Sequence, residues 1–344
     1  MVAAVADNVG GPAPARMRPA VAVAVCLMGA VLATVFPFVG IPVAAGALAS
    51  LWFGGRRTTA VLSAVAGGVA TMVMAVPSLS PSAVVGAVHI AAWLLVAGPL
   101  AAVLLRRSSA VNALLIVAGL SIALMAGLFG VTAALEGESV QAFVSSEVRS
   151  ILEPFVTRAL APDAEAGEVP AEVTEQIDEL VDGAVRAWPS AVAVEAGLAA
   201  LLALVVVGMV AVRSGVTVRS VPRFEALDLS PHVVWGLIAG IGLVAADKFL
   251  GGWNDGVLGL VGENALRITQ WVLFLQGIAV FAALYRKVGL GRLSRTFGFI
   301  LLGVTEAFVP LVSMTGLIDM WVNVRKLPRD GQSGGTGDAV EPAA

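Results

Sequence analysis

The sequence predicts an all-α protein: a polytopic transmembrane helix bundle of about nine hydrophobic segments, carrying an amphipathic, acidic helical insertion on its extracytoplasmic side. Three observations predict it. Of 344 residues, 58% are hydrophobic and 13% charged, with a mean hydropathy of +0.92, far above that of a soluble domain. The apolar residues fall in runs of bilayer-spanning length, for which about 20 residues are needed. They are mostly Ala, Val, Leu and Gly with a single Tyr, whereas a membrane barrel would show short alternating strands bounded by aromatic girdles.

The runs lie at about 19–36, 38–54, 58–76, 83–105, 110–135, 189–212, 232–250, 267–285 and 296–321. Arg16 and Arg18 before the first could suggest a cleaved secretory signal, but the apolar region continues past Pro37 and Pro42 to Phe53, too long for a signal core. It is taken as a retained helix. The second run is short and opens at prolines, which suits a tilted or partly re-entrant segment.

Basic residues alternate between connections. Arg16/Arg18, Arg56/Arg57, Arg106/Arg107, Arg213/Arg219/Arg223 and Arg286/Lys287/Arg292/Arg295 hold 13 of the 21. The positive-inside rule puts these in the cytoplasm, with residues 1–18 as a cytoplasmic tail of a multi-pass membrane protein. The connections at Pro77–Ser82, 136–188 and 251–265 then face outward.

Residues 136–188 separate a first bundle at 19–135 from a second at 189–326, and carry 12 of the 24 acidic residues against three arginines. Val140, Phe143, Val144, Val148, Ile151, Leu152, Phe155 and Val156 recur at helical spacing, as do Val173, Ile177, Leu180, Val181, Val185 and Trp188. Two amphipathic helices joined by an acidic turn at 161–170 account for the pattern. They would form a solvated cap, or a lid that binds a partner or gates a substrate. Residues 327–344 have the composition of a disordered tail. An odd number of crossings places that tail outside, while Arg325, Lys326 and Arg329 argue for inside. A split of 296–324 at Pro310 into two re-entrant halves would reconcile the two, though one long kinked helix is the simpler expectation.

Ionisable groups at membrane depth are costly and mark candidate sites. Glu306 lies deepest, about ten residues into an apolar run and four before Pro310. It could contact a ligand, carry a proton, pair with Arg267 or His89, or simply tie helices together. Asp247, Asn264 and Arg267 belong to a polar rim with Lys248, Asn254, Asp255 and Glu263, suited either to a pocket mouth on the outer face or to a plain solvated turn. Gln276 and Gln270 are placed to hydrogen-bond between helices. Asp319 stands toward the end of the last run. The candidate ligand-binding set is therefore Glu306, Asn264, Arg267, Asp247, Gln276 and Asp319. Gly236 and Gly240 form a G-x-x-x-G that permits close helix approach, and Ala20 and Ala24 a looser small-residue pair.

Nothing points to an enzyme. There is no nucleotide-binding G-x-x-x-x-G-K-[ST], no H-E-x-x-H and no G-x-S-x-G. With one cysteine, Cys26, and two histidines, His89 and His232, no metal-ligand spacing and no internal disulfide arises, and no cofactor is expected. No basic, aromatic patch suits nucleic acid.

One ordered set of residues carries a resemblance: Pro189 opening the sixth helix, Pro222-Arg-Phe224 followed by Leu229-Ser-Pro231 and Trp235, Asn264 with Gln276-Gly277, and Gly316-Leu-Ile-Asp319-Met-Trp321 with Arg325-Lys326. In these the chain resembles the YybS-like family of bacterial integral membrane proteins, which has no established function. That family is distantly similar to the S-components of energy-coupling-factor vitamin transporters and to the rod-shape protein MreD. The first resemblance implies a small-molecule-binding subunit that moves a solute only with partner membrane subunits, Ala20 and Ala24 standing where S-components dock. The second implies a scaffold that binds cell-envelope or division proteins. A proton-coupled transporter using Glu306 is a third reading.

Overall fold

The computed structural model describes residues 17–75, 88, 90–160, 170–217, 224–251 and 253–327. His89, the 77–82 connection, the turn at 161–169, Arg219, Pro222, Arg223 and the tail from 328 lie outside them, as do the side chains of Asn254 and Asp255. The described residues are helical, with no strand. They divide into two compact units, residues 1–221 and 222–344.

In the first unit, α1 (Pro19–Ala33) and α2 (Pro37–Phe53) each open on a proline, whose missing N–H costs nothing in a first turn. They form a tight hairpin. A Cβ on Gly40 would stand 2.2 Å from the Ala33 nitrogen and one on Gly29 2.8 Å from the Ala44 nitrogen, so glycine alone allows the two backbones to meet. Helix α3 (Arg57–Ala75) packs on this hairpin. Helix α4 (Ile90–Arg107) contains a π-helical turn at Val96–Leu100 around Pro99, the widened turn absorbing a residue that cannot donate. Helix α5 (Ala110–Glu136) starts at Ser109, whose side chain caps the Asn112 N–H, and stops at left-handed Gly137. The core between these helices is largely alanine, including Ala45, Ala49, Ala97, Ala101 and Ala113, as expected where dispersion between close backbones replaces the hydrophobic effect.

Helices α6 (Val140–Leu160) and α7 (Ala171–Arg213) account for the insertion. Val173, Ile177 and Val181 of α7 are buried against Val148, Leu152 and Val156 of α6, and Arg149 pairs with Asp178 across the hairpin. The two amphipathic stripes read from the sequence thus meet in part, while Ile151, Phe155 and Leu180 of the same stripes stay exposed. The second is not a separate helix: α7 passes uninterrupted through Pro189, which lies inside it and does not open the sixth segment. Its 43 residues span roughly 65 Å, about twice a hydrocarbon core of ~30 Å, so the helix is longer than one crossing needs. Phe129 stacks edge-on against both Phe143 and Trp188, an aromatic cluster of the kind that suits a membrane surface.

The second unit contains α8 (Val234–Phe249), α9 (Trp253–Lys287), α10 (Arg292–Phe308) and α11 (Leu311–Val322), preceded by short turns at Phe224–Ala226 and Pro231–Val233. Among the described residues six helices are long and apolar enough to span a membrane, or seven if α10 and α11 count as one span; α1 and α2, apolar as well, have 15 and 17 residues and are short. One expectation is corrected: the last run is not one kinked helix. Pro310 cannot continue the ladder of α10, and α10 and α11 meet at 99°.

Candidate functional site

The 35-residue α9 is the spine of the second unit. Along one side α8 approaches through its G-x-x-x-G: a Cβ on Gly236 would lie 2.6 Å from the Thr269 hydroxyl, and one on Gly240 3.1 Å from the Gly262 carbonyl oxygen. Along another side runs α11. The Ser313 hydroxyl donates to the Gln270 carbonyl at 3.1 Å, Gly316 faces the Leu273 carbonyl, and Asp319 accepts from Gln276. Each step of three in α11 matches a step of three in α9, so the two helices run parallel. Gly277 and Gly316 make this possible, since a Cβ on either would fall 2.0–2.2 Å from a facing carbonyl oxygen.

Parallel packing fixes the course of the chain. Four residues separate the end of α9 from the start of α10, and α11 then runs back toward that same end of α9. The broken pair therefore leaves and returns at one end of the unit, as a re-entrant pair does.

A buried polar network closes the return. Asn323, at φ 48°, turns the backbone, and its amide exchanges hydrogen bonds with Leu327, carrying Arg325 back alongside α11. Arg325 Nη2 and Nε donate to Asp319 Oδ2 at 2.7 and 3.1 Å, Gln276 Nε2 donates to the same oxygen at 3.1 Å, and the Arg325 N–H reaches Oδ1 at 3.4 Å. The Asp319 side chain is 0% exposed and that of Arg325 1%. The network also holds the segment entering α8: Gln276 Oε1 accepts from the Leu229 N–H at 3.3 Å, and Arg325 Nη1 donates to the Glu225 carbonyl at 2.9 Å, with Asp228 3.9 Å away. Glu225 in turn pairs with Arg286 in the last turn of α9. A buried carboxylate facing a forked guanidinium and an amide has its hydrogen-bonding capacity matched, which favours one fixed geometry.

Glu306 lies beside this seam and does not stand free. Its carboxylate accepts the N–H groups of Val312 at 2.8 Å and Ser313 at 3.2 Å, and the Ser313 hydroxyl as well. It caps the N-terminus of α11, replacing the donors' lost partners at the Pro310 break and matching the helix dipole.

The remaining candidates do not join it. Arg267 pairs along its own helix with Glu263 at 3.8 Å, both side chains well exposed. Asn264 is buried and donates to the Leu260 carbonyl at 2.8 Å. Asp247 packs over Gly259, where a Cβ would meet its Oδ2 at 2.7 Å, and its buried Oδ1 has no partner among the described residues. Of the six candidates, Gln276 and Asp319 are joined by a hydrogen bond. Arg325, Glu225 and Asp228 complete their network, and no periodicity in the sequence could have linked them: Arg325 lies six residues from Asp319, past the helix end, and Glu225 lies 100 residues from Arg325.

Beside the network the unit holds a cavity of about 470 Å³, lined by Phe224, Glu225, Ile278, Ala282, Arg286 and Phe299. Tyr285 stacks edge-on against Phe299 at 5.3 Å and braces that wall. The lining is apolar apart from one ion pair. Among the described residues no group of His, Cys, Asp and Glu could hold a metal ion.

Part of the ordered set in the sequence converges here: Phe224, Leu229, Gln276-Gly277, Gly316, Asp319 and Arg325; Pro189 and Asn264 lie elsewhere. No curated protein and no solved structure matches the chain. A family model described as a predicted membrane protein (DUF2232) matches residues 20–320, nearly the whole described chain. The chain belongs to this family of predicted membrane proteins.

Proposed function

We propose that this membrane protein is a non-enzymatic subunit that binds a small molecule in its second unit and acts in transport together with other membrane subunits, as an energy-coupling-factor S-component does. The cavity between Phe224, Ile278, Ala282, Arg286 and Phe299 carries this reading. It is an open, mostly apolar recess with few polar groups, and lies on a frame held by the Gln276–Asp319–Arg325 network. The cavity opens beside the basic 286–295 turn, so in a bacterial cytoplasmic membrane it would be reached from the cytoplasmic half of the bilayer. A thermal-stability screen of metabolites on the purified protein tests the reading, since a ligand that binds the folded state stabilises it in proportion to ln(1 + [L]/Kd). The midpoint should rise with one ligand class and lose that response in Ala282→Phe, which puts a ring into the cavity from its wall. A response unaffected by Ala282→Phe, or none from any ligand, refutes it.

The second reading, a scaffold for cell-envelope proteins, is favoured by the α6–α7 hairpin, whose second helix is longer than one crossing needs and which leaves Ile151 and Phe155 exposed by 60% and 68%. Site-specific crosslinking from Phe155 in membranes should then capture one defined partner; adducts with lipid or none would remove this reading.

A further inference from the structure

We infer that the cavity of the second unit takes an anionic phospholipid, one acyl chain lying along Ile278, Ala282 and Phe299 and the phosphate at Arg286 and the basic turn after it. The inference rests on the reading of this cavity as a ligand site and names the class of its ligand.

The walls select for hydrocarbon. Four of the six lining residues, Phe224, Ile278, Ala282 and Phe299, have no side-chain hydrogen-bonding group, and Glu225 and Arg286 face each other as an ion pair. A polar metabolite that fits only by exchanging its water for protein donors and acceptors would find few here, whereas an acyl chain needs none. The same helices continue the apolar surface outward, because α10 exposes Leu293, Phe297, Ile300, Leu301 and Val304 in one helical stripe. Lipid hydrocarbon thus covers the element that contributes Phe299.

The opening selects for negative charge. Arg286, Lys287, Arg292 and Arg295 fall within ten residues at the end of α9 and the start of α10, and Arg286, Lys287 and Arg292 are exposed. Glu225 offsets one of these four charges. The balance remains cationic where a phosphate would sit, in the arrangement by which basic pockets between transmembrane helices hold anionic headgroups. The Arg286 side chain is half-exposed and its guanidinium presents five donors, so it can take a phosphate while it keeps Glu225.

The test titrates the detergent-purified full chain with phosphatidylglycerol, phosphatidylcholine of the same acyl chains, or inorganic phosphate, reading the unfolding midpoint and the lipid retained in native mass spectrometry. The expected result is a midpoint several degrees higher with phosphatidylglycerol than with phosphatidylcholine, and no effect of phosphate alone. Ala282→Phe should abolish the phosphatidylglycerol response, and Lys287→Gln/Arg292→Gln, which leaves the cavity intact, should reduce it to that of phosphatidylcholine. Equal stabilisation by both lipids, or a headgroup preference that survives Lys287→Gln/Arg292→Gln, overturns the inference. A soluble metabolite whose effect Ala282→Phe removes, without any lipid preference, also overturns it while leaving the small-molecule reading intact. Silence from every lipid and metabolite overturns both.

Discussion

Arg325 reaches back past the end of its helix to place Nη2 2.7 Å from Asp319 Oδ2, with both side chains sealed from the surroundings. Removing one partner of such a pair strands a buried charge. Asp319→Ala and Arg325→Ala should each cost about 3–5 kcal/mol, and the double variant clearly less than their sum. A double-mutant cycle on unfolding in mild detergent reads this, and additivity would mean that the contact contributes nothing.

Gly277 and Gly316 determine whether α9 and α11 can meet. Gly316→Ala places a methyl 2.2 Å from the Leu273 carbonyl oxygen, so the helices must separate, at a cost of about 1–3 kcal/mol or more. Gly242→Ala and Gly303→Ala meet nothing within 4 Å and should be neutral, or stabilising by up to about 1 kcal/mol through helix propensity. Thermal midpoints of the three variants separate a packing requirement from a general effect of glycine in these helices.

Glu306 functions as a helix cap. Glu306→Ala should cost about 1–2 kcal/mol, while Glu306→Gln, which keeps an acceptor for the Val312 and Ser313 N–H groups, should recover most of that loss. Ligand-induced stabilisation should be retained in Glu306→Gln. If it is lost while the fold is intact, the carboxylate has a role in binding that capping does not explain.

Arg267 belongs to an exposed pair within one helix, of a kind that contributes about 0.3–0.5 kcal/mol. Arg267→Gln should leave both the midpoint and the ligand response unchanged; a lost response would move the binding site to the other end of α9.

The sequence revealed what depends on local pattern. Apolar runs located the helices, the stripes at Val148/Leu152 and Val173/Ile177 identified faces that do pack together, and Gly236/Gly240 marked a close crossing that exists. Continuity was hidden, because Pro189 suggests a helix start and only packing reveals that α7 runs through it. Direction was hidden too. Pro310 showed that the last run could break, but the sense of the return is set by Gly277, Gly316 and the Gln276–Asp319 bond, which bring residues about 40 apart in sequence into contact. The polar groups looked costly in lipid because their partners, a backbone N–H for Glu306 and a guanidinium for Asp319, are supplied by the fold.

The re-entrant course of α10 and α11 is what brings Arg325 to the same end of α9 as the basic turn, and the buried network and the cavity site both depend on it. Single cysteines at Ser294 and at Lys326, both exposed, test it with a membrane-impermeant maleimide in oriented vesicles; the native Cys26 is buried and can be replaced by serine. Labelling of both positions from the same side of the membrane is the predicted result, and labelling from opposite sides would contradict the account.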